Sequence, residues 1–131
     1  MRIDEIQQLI RRSRMFFETA RFQIDRGFYD LAAFSLEQAL QLFLKAKLLE
    51  MGVDYPRTHS IRRLLEMLSG ILSGEARERV ESLLRNYLME LGVLEDAYIT
   101  SRYVVREYTR DEVERLAKVV EEVIRNIESI S

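Results

Sequence analysis

FYDLAAFSLEQALQLFLKAKLLEMG, residues 28 to 52, is the stretch whose reading decides the fold. Its positions Ala32, Leu36, Ala39, Leu40, Phe43 and Ala46 recur at three- and four-residue steps, the spacing of one face of a helix. Gly52 supplies a left-handed stop. The alanines at 32, 33, 39 and 46 leave room for neighbouring backbones to come close. The segment therefore reads as a long helix made for tight packing.

Upstream, Ile3, Ile6, Ile10, Ser13, Phe17, Ala20 and Ile24 follow the same period, and Gly27 marks a second stop. Asp4 and Gln7 have the spacing of a capping box, in which each side chain would satisfy an orphan backbone N–H. Two long helices joined this tightly should be antiparallel. Downstream, VDYPRTH holds the only proline, which pushes Tyr55 towards extended geometry and makes a connection. A short helix from about Ser60 to Ile71 places Ile61, Leu64, Leu65 and Leu68 inward, and SGILSGE turns the chain.

Residues 75 to 101 form a fourth long pattern through Val80, Leu83, Leu84, Tyr87, Leu91, Leu94 and Tyr98, with Gly92 as its weak point. Thr109 and Glu112 then make a capping box for a last amphipathic helix carrying Val113, Leu116, Val120, Val123, Ile124 and Ile127. No stretch alternates long enough for a strand. The expected fold is all-α: one domain over residues 1–131, an antiparallel up-and-down bundle of four long helices and one short one.

Composition narrows the chemistry. With no Cys and one His, thiolate nucleophiles, thiolate zinc sites and multi-histidine metal centres are excluded, and no metal or cofactor is expected. The net charge of −2 argues against a globally basic nucleic-acid binder. The 20 basic residues divide into 17 Arg and 3 Lys, which favours forked ion pairs. No window nears the roughly 20 apolar residues of a membrane span, and the start of the chain lacks an apolar leader core, so a cytoplasmic protein is expected.

Local clusters carry the remaining signal. Arg57, Arg62 and Arg63 surround His59 with no acid between them, the best candidate for contact with an anion or a partner. Taken alone, His59 is more simply a cap or packing residue at the start of the short helix. Tyr98, Tyr103 and Tyr108 frame Arg102 and Arg106, a mixture that suits base stacking and equally suits a buried corner. The glutamates at 75, 78, 81, 112, 114, 121, 122 and 128 lie on polar faces beside arginines and read as solvated ion-pair partners.

Four features in order, the 28–52 segment, the TH of RTHSIRRLLEML, SRYVV and the closing ERLAKVVEEVI, resemble the HEPN domain family. The long second helix with small residues and carboxamides ending in Lys and Gly is similar to SLEQALQLFLKAKLLEMG. His59 matches a His that opens the next helix, and Arg102 with Tyr103 matches an Arg-Tyr pair ending the fourth long helix. Val104 stands where the family usually has Pro. Many members are metal-independent ribonucleases whose signature is that Arg followed four to six residues later by His, paired across a dimer. Others are small non-catalytic partners of a minimal nucleotidyltransferase.

In this chain the window after Arg102 holds Arg106, Glu107, Tyr108 and Thr109 and no His. Metal-free RNA cleavage needs a base and an acid that titrate near the working pH, and a phenol keeps its proton to about pH 10. The resemblance thus implies a non-catalytic binding module. It would be a homodimer partnered with a minimal nucleotidyltransferase in a toxin–antitoxin-like pair, or would bind a nucleotide. Its contacts would be Arg57, His59, Arg62, Arg63, Arg102 and Tyr103. The alternatives are a degenerate ribonuclease acting on RNA through Arg102 and Tyr108, and a structural helical subunit of a larger assembly.

Overall fold

In the computed structural model the described residues are 2–103 and 106–130, with the side chains of 101–103 outside the description. They form six helices: α1 (Ile3–Asp25), α2 (Tyr29–Glu50), α3 (Ile61–Ile71), α4 (Gly74–Asn86), α5 (Leu88–Tyr103) and α6 (Arg110–Glu128). No strand occurs among the described residues, as the periodicity predicts.

α2 is the centre of the bundle. Fourteen of its 22 residues are buried, and it packs against α1, α3, α5 and α6. A helix covered on most of its circumference must be apolar around most of its circumference, and α2 has Leu36, Leu40, Leu44 and Leu48 fully enclosed. The alanines do what their size permits: Ala32, Ala33 and Ala39 are inaccessible to solvent, and α1 approaches α2 closely enough for the Ser13 hydroxyl to donate to the Ala39 carbonyl at 2.6 Å. Ser13 therefore belongs to the inward face of α1, with its polar atom satisfied in place.

The two glycine stops behave as read. Gly27 (φ +80°) and Gly52 (φ +79°) adopt the left-handed conformation, and the next residue's N–H reaches back to the helix, Phe28 to the Gln23 carbonyl and Val53 to the Leu48 carbonyl. Thr109 and Glu112 form the expected reciprocal cap, at 3.1 and 2.9 Å. Asp4 and Gln7 do not cap α1. The helix begins two residues earlier than that box requires, with Arg2 at the cap position and no side-chain cap. Arg2 instead pairs with Asp54 in the connection after α2, and Asp4 lies inside the first turn, where its charge suits the positive helix end.

The fourth long pattern is divided. The interruption falls at Tyr87 (φ −117°, ψ 23°), whereas α5 runs unbroken through Gly92. The backbone ladder persists across the bend, Tyr87 N–H to Leu83 and Leu91 N–H to the Tyr87 carbonyl. The two halves serve different neighbours: α4 packs chiefly on α3 and α5 chiefly on α2, so one straight rod could not reach both. At the far end Lys47 donates from Nζ to the Ile130 carbonyl at 2.6 Å, tying the end of the described chain to α2.

Replacing Ala39, fully buried where α1 meets α2, by Leu should destabilise the protein by about 1–3 kcal/mol in urea denaturation, the usual cost of overpacking. An unchanged midpoint would mean that α1 does not lie so close to α2.

Candidate functional site

The sequence-read cluster falls where the start of α3, the C-terminal half of α5 and the N-terminal half of α2 meet. α3 is capped by Ser60, whose hydroxyl accepts from the Arg63 N–H at 3.2 Å, so the cap is not His59. His59 stacks on Tyr98 of α5 with ring centres 3.8 Å apart and planes 18° apart, and Tyr98 stacks in turn on Phe34 of α2 at 6.2 Å. Three aromatic rings thus link the connection before α3 to α5 and α2.

Arg62 has a different neighbourhood from the one its sequence context implies. Glu95 of α5 accepts from its Nε at 3.0 Å and its Nη2 at 3.1 Å, a forked ion pair, and also from the Arg62 N–H at 2.9 Å and the Ser60 hydroxyl at 3.2 Å. Glu95 is one of the two residues that matter most here and that sequence reasoning missed. It sits more than thirty residues from Arg62, and only the folding of α5 onto α3 brings them together. Its carboxylate satisfies one orphan N–H at the α3 N-terminus, that of Arg62, and neutralises the Arg62 guanidinium. Arg57 and Arg63 remain exposed and form no ion pair among the described residues.

The other missed residue is Glu37. Its side chain is inaccessible to solvent on the central helix. Gln38 Nε2 donates to one carboxyl oxygen at 2.6 Å and Gln41 Nε2 to the other at 2.5 Å, while Lys45 Nζ donates to Gln41 Oε1 at 2.7 Å. Lys45 then lies over the Tyr55 ring, whose hydroxyl donates to Glu5 at 3.4 Å. A polar row runs through an otherwise apolar helix, and no buried side-chain polar atom is left unsatisfied among the described residues. Burial pushes the Glu37 carboxyl up to about 7, with the Glu95 charge adding to the shift and the two amides and Lys45 opposing it. Burial also lowers the Lys45 ammonium. The signal available in sequence was a Glu-Gln pair with a second Gln one helical turn on, in a helix with no polar face.

Tyr108 is buried, its hydroxyl 3.3 Å from the Thr100 hydroxyl, with the Arg106 guanidinium over its ring at 4.1 Å. Arg106 also pairs with Glu112 at 3.0 Å. Tyr108 is thus a packing residue at the α5–α6 corner. The α5 backbone carries position 102 one turn beyond Tyr98; the side chains of Arg102 and Tyr103, and with them the corner at 104 and 105, lie outside the described residues. Among the described residues no group of His, Asp and Glu is arranged to hold a metal, and no helix is long and apolar enough to cross a membrane.

Glu37 makes a stability prediction with a definite sign. Its folded-state pKa, about 7, lies above the ordinary 4.5 of the unfolded chain, so its contribution is full below about 4.5 and is lost as pH rises through about 7. Relative to the parent, Glu37→Gln should gain about 2–3 kcal/mol between pH 5 and pH 8.5 in chemical denaturation. A stability difference independent of pH would show that the carboxyl is solvated.

Comparison with known proteins agrees with this architecture. The family model described as HEPN domain matches residues 6–130. The crystal structure of TT1696 from Thermus thermophilus superposes with a TM-score of 0.72 at 25% sequence identity, over 94% of this chain and 95% of that one. Among curated proteins nothing matches.

Proposed function

The chain belongs to the HEPN domain family, and from that premise we propose that it is a binding module without ribonuclease activity. It works as a homodimer and takes a minimal nucleotidyltransferase, as in a toxin–antitoxin-like pair, or a nucleotide, as its partner. One observation carries the non-catalytic part: positions 103 to 109 contain no imidazole, the side chain that titrates near the working pH, and Tyr108 is a packed phenol whose hydroxyl lies 3.3 Å from that of Thr100. A packed phenol is a poor replacement for an imidazole as acid and base.

The binding part rests on the α3 entrance. Arg57 and Arg63 present unneutralised charge beside the stacked His59 and Tyr98, chemistry that suits a phosphate or an acidic partner. Arg62 contributes there as the strut that holds α3 to α5, its charge spent on Glu95. Leu31, one turn before Phe34, and Ile99, next to Tyr98, are large exposed apolar residues at the same end of the bundle, and they supply the contact for a second subunit.

A specific observation favours a second reading. The stack on Tyr98 brings the only imidazole of the chain to within one turn of Arg102 along α5, although the two are forty-three positions apart in sequence. His59 would then be the proton carrier of a rearranged ribonuclease site.

One experiment separates the two. Incubated with single-stranded RNA and a chelator, the purified protein should leave the RNA intact, sediment as a dimer, and bind a minimal nucleotidyltransferase. Arg57→Glu with Arg63→Glu should weaken that binding by about tenfold or more, as for charged contacts at an interface. Cleavage that disappears in both Arg102→Ala and His59→Ala would overturn the first reading in favour of the second.

A further inference from the structure

α1 and α6 both lie on α2 but touch each other only lightly, and a groove runs between them. Its central part is a cavity of about 380 Å³ floored by Phe43 and walled by Ile10 and Phe17 of α1 and Ile124 of α6. Further hollows continue it in both directions, one sharing Phe17 and Glu121 with it, the other Ile10, Arg14, Phe43 and Glu128. At 1.5 Å per residue, the α6 rim from Glu114 to Glu128 is roughly 21 Å long, about four helical turns. None of these residues belongs to the α3 entrance.

The rims carry a regular charge pattern. On α1 Arg14 and Arg21 are seven residues apart; on α6 Glu114, Glu121 and Glu128 repeat the same step. Arg21 pairs with Glu114 across the groove at 3.0 Å. α1 and α6 run in opposite directions past each other, so one heptad along both brings Arg14 towards Glu121, and there the ladder stops. Glu121 is held by Arg125 of its own helix at 3.2 Å, and neither Arg14 nor Glu128 enters an ion pair among the described residues. Between the two unmatched charges lies the apolar floor.

We propose that this groove receives one amphipathic helix of a protein partner. The partner's apolar stripe, at i, i+3 and i+7, covers Phe17, Phe43 and Ile124, an acidic flank meets Arg14 and a basic flank meets Glu128. Charge decides the class of occupant. Glu18, Glu121 and Glu128 outnumber Arg14 and Arg125 along the central part, which repels a polyanion, while rims of opposite unmatched sign fit a helix with two differently charged flanks. Beyond the Arg21–Glu114 bridge the groove is open to solvent, so an inserted helix buries it more completely than a small molecule could.

The test uses a labelled alanine-rich peptide of about fourteen residues with Leu at i, i+3 and i+7, Glu on one flank and Lys on the other. Titrated with the full protein, it should give saturable fluorescence anisotropy, and a peptide with both flanks acidic should bind several-fold more weakly. Ile124→Arg should weaken binding more than tenfold. Arg14→Glu, at an exposed position where folding is not at risk, should weaken it about fivefold. Absence of saturable binding, or binding unchanged in Arg14→Glu, overturns the proposal. So does a dimer that Arg14→Glu turns into a monomer, because a second copy would then be the occupant.

Discussion

Burying the Glu37 carboxyl and its amide partners in the central helix constrains everything around it. A helix that presents Glu37 and Gln41 among leucines cannot leave that row half-covered: each polar atom either meets water or meets a partner, and an unpaired one costs about 1–3 kcal/mol. The row is closed by its own neighbours, Gln38, Gln41 and Lys45, and by the elements that α2 gathers around itself. The rise of the Glu37 carboxyl pKa to about 7 follows from this enclosure. So does a penalty on any rearrangement that would lift α5 from α2, because it would wet the row.

The candidate site inherits its rigidity from the same enclosure. α5 packs on α2, near enough for the Glu95 charge to act on Glu37, and delivers Glu95 to α3, where one carboxylate accepts from the Arg62 N–H and the Ser60 hydroxyl and forks with the Arg62 guanidinium. Tyr98, one turn further, holds His59. The Glu95 charge is also one cause of the elevated Glu37 pKa, so the interior of α2 and the surface at α3 are electrostatically joined. What this arrangement does well is present the Arg57 and Arg63 cations beside stacked rings. The window that follows Arg102 holds no imidazole, which is the physical reason for favouring recognition over turnover.

Much of the bundle was legible in the sequence because helical period, glycine stops and the Thr109–Glu112 cap are local signals, decided within one or two turns. Failures occurred where a distant partner wins. Asp4 and Gln7 have the right spacing for a cap, yet Arg2 reaches Asp54 and the helix starts earlier. Gly92 has the poorest local propensity, yet α5 continues through it with Arg62 lying alongside, and the bend comes at Tyr87, where the chain passes from one packing partner to the other. Arg62 resembled free positive charge because its acid sits on another helix. Glu37 and Glu95 were invisible for the same reason, since a glutamate's burial is set by what folds over it. His59 was readable as a helix-start residue; its stacking on Tyr98 was not, because that contact depends on α5 crossing the α3 entrance.

Carbon-13 NMR titration of the Glu37 side-chain carboxyl tests the sealed central helix most directly. The structure predicts a midpoint of about 7, well above the 4.5 of an ordinary glutamate, with the chemical-shift change felt by Gln41 as well. A midpoint near 4.5 would mean that water reaches α2, and that the packing of α5 which positions Glu95, Tyr98 and the candidate site is not the one described.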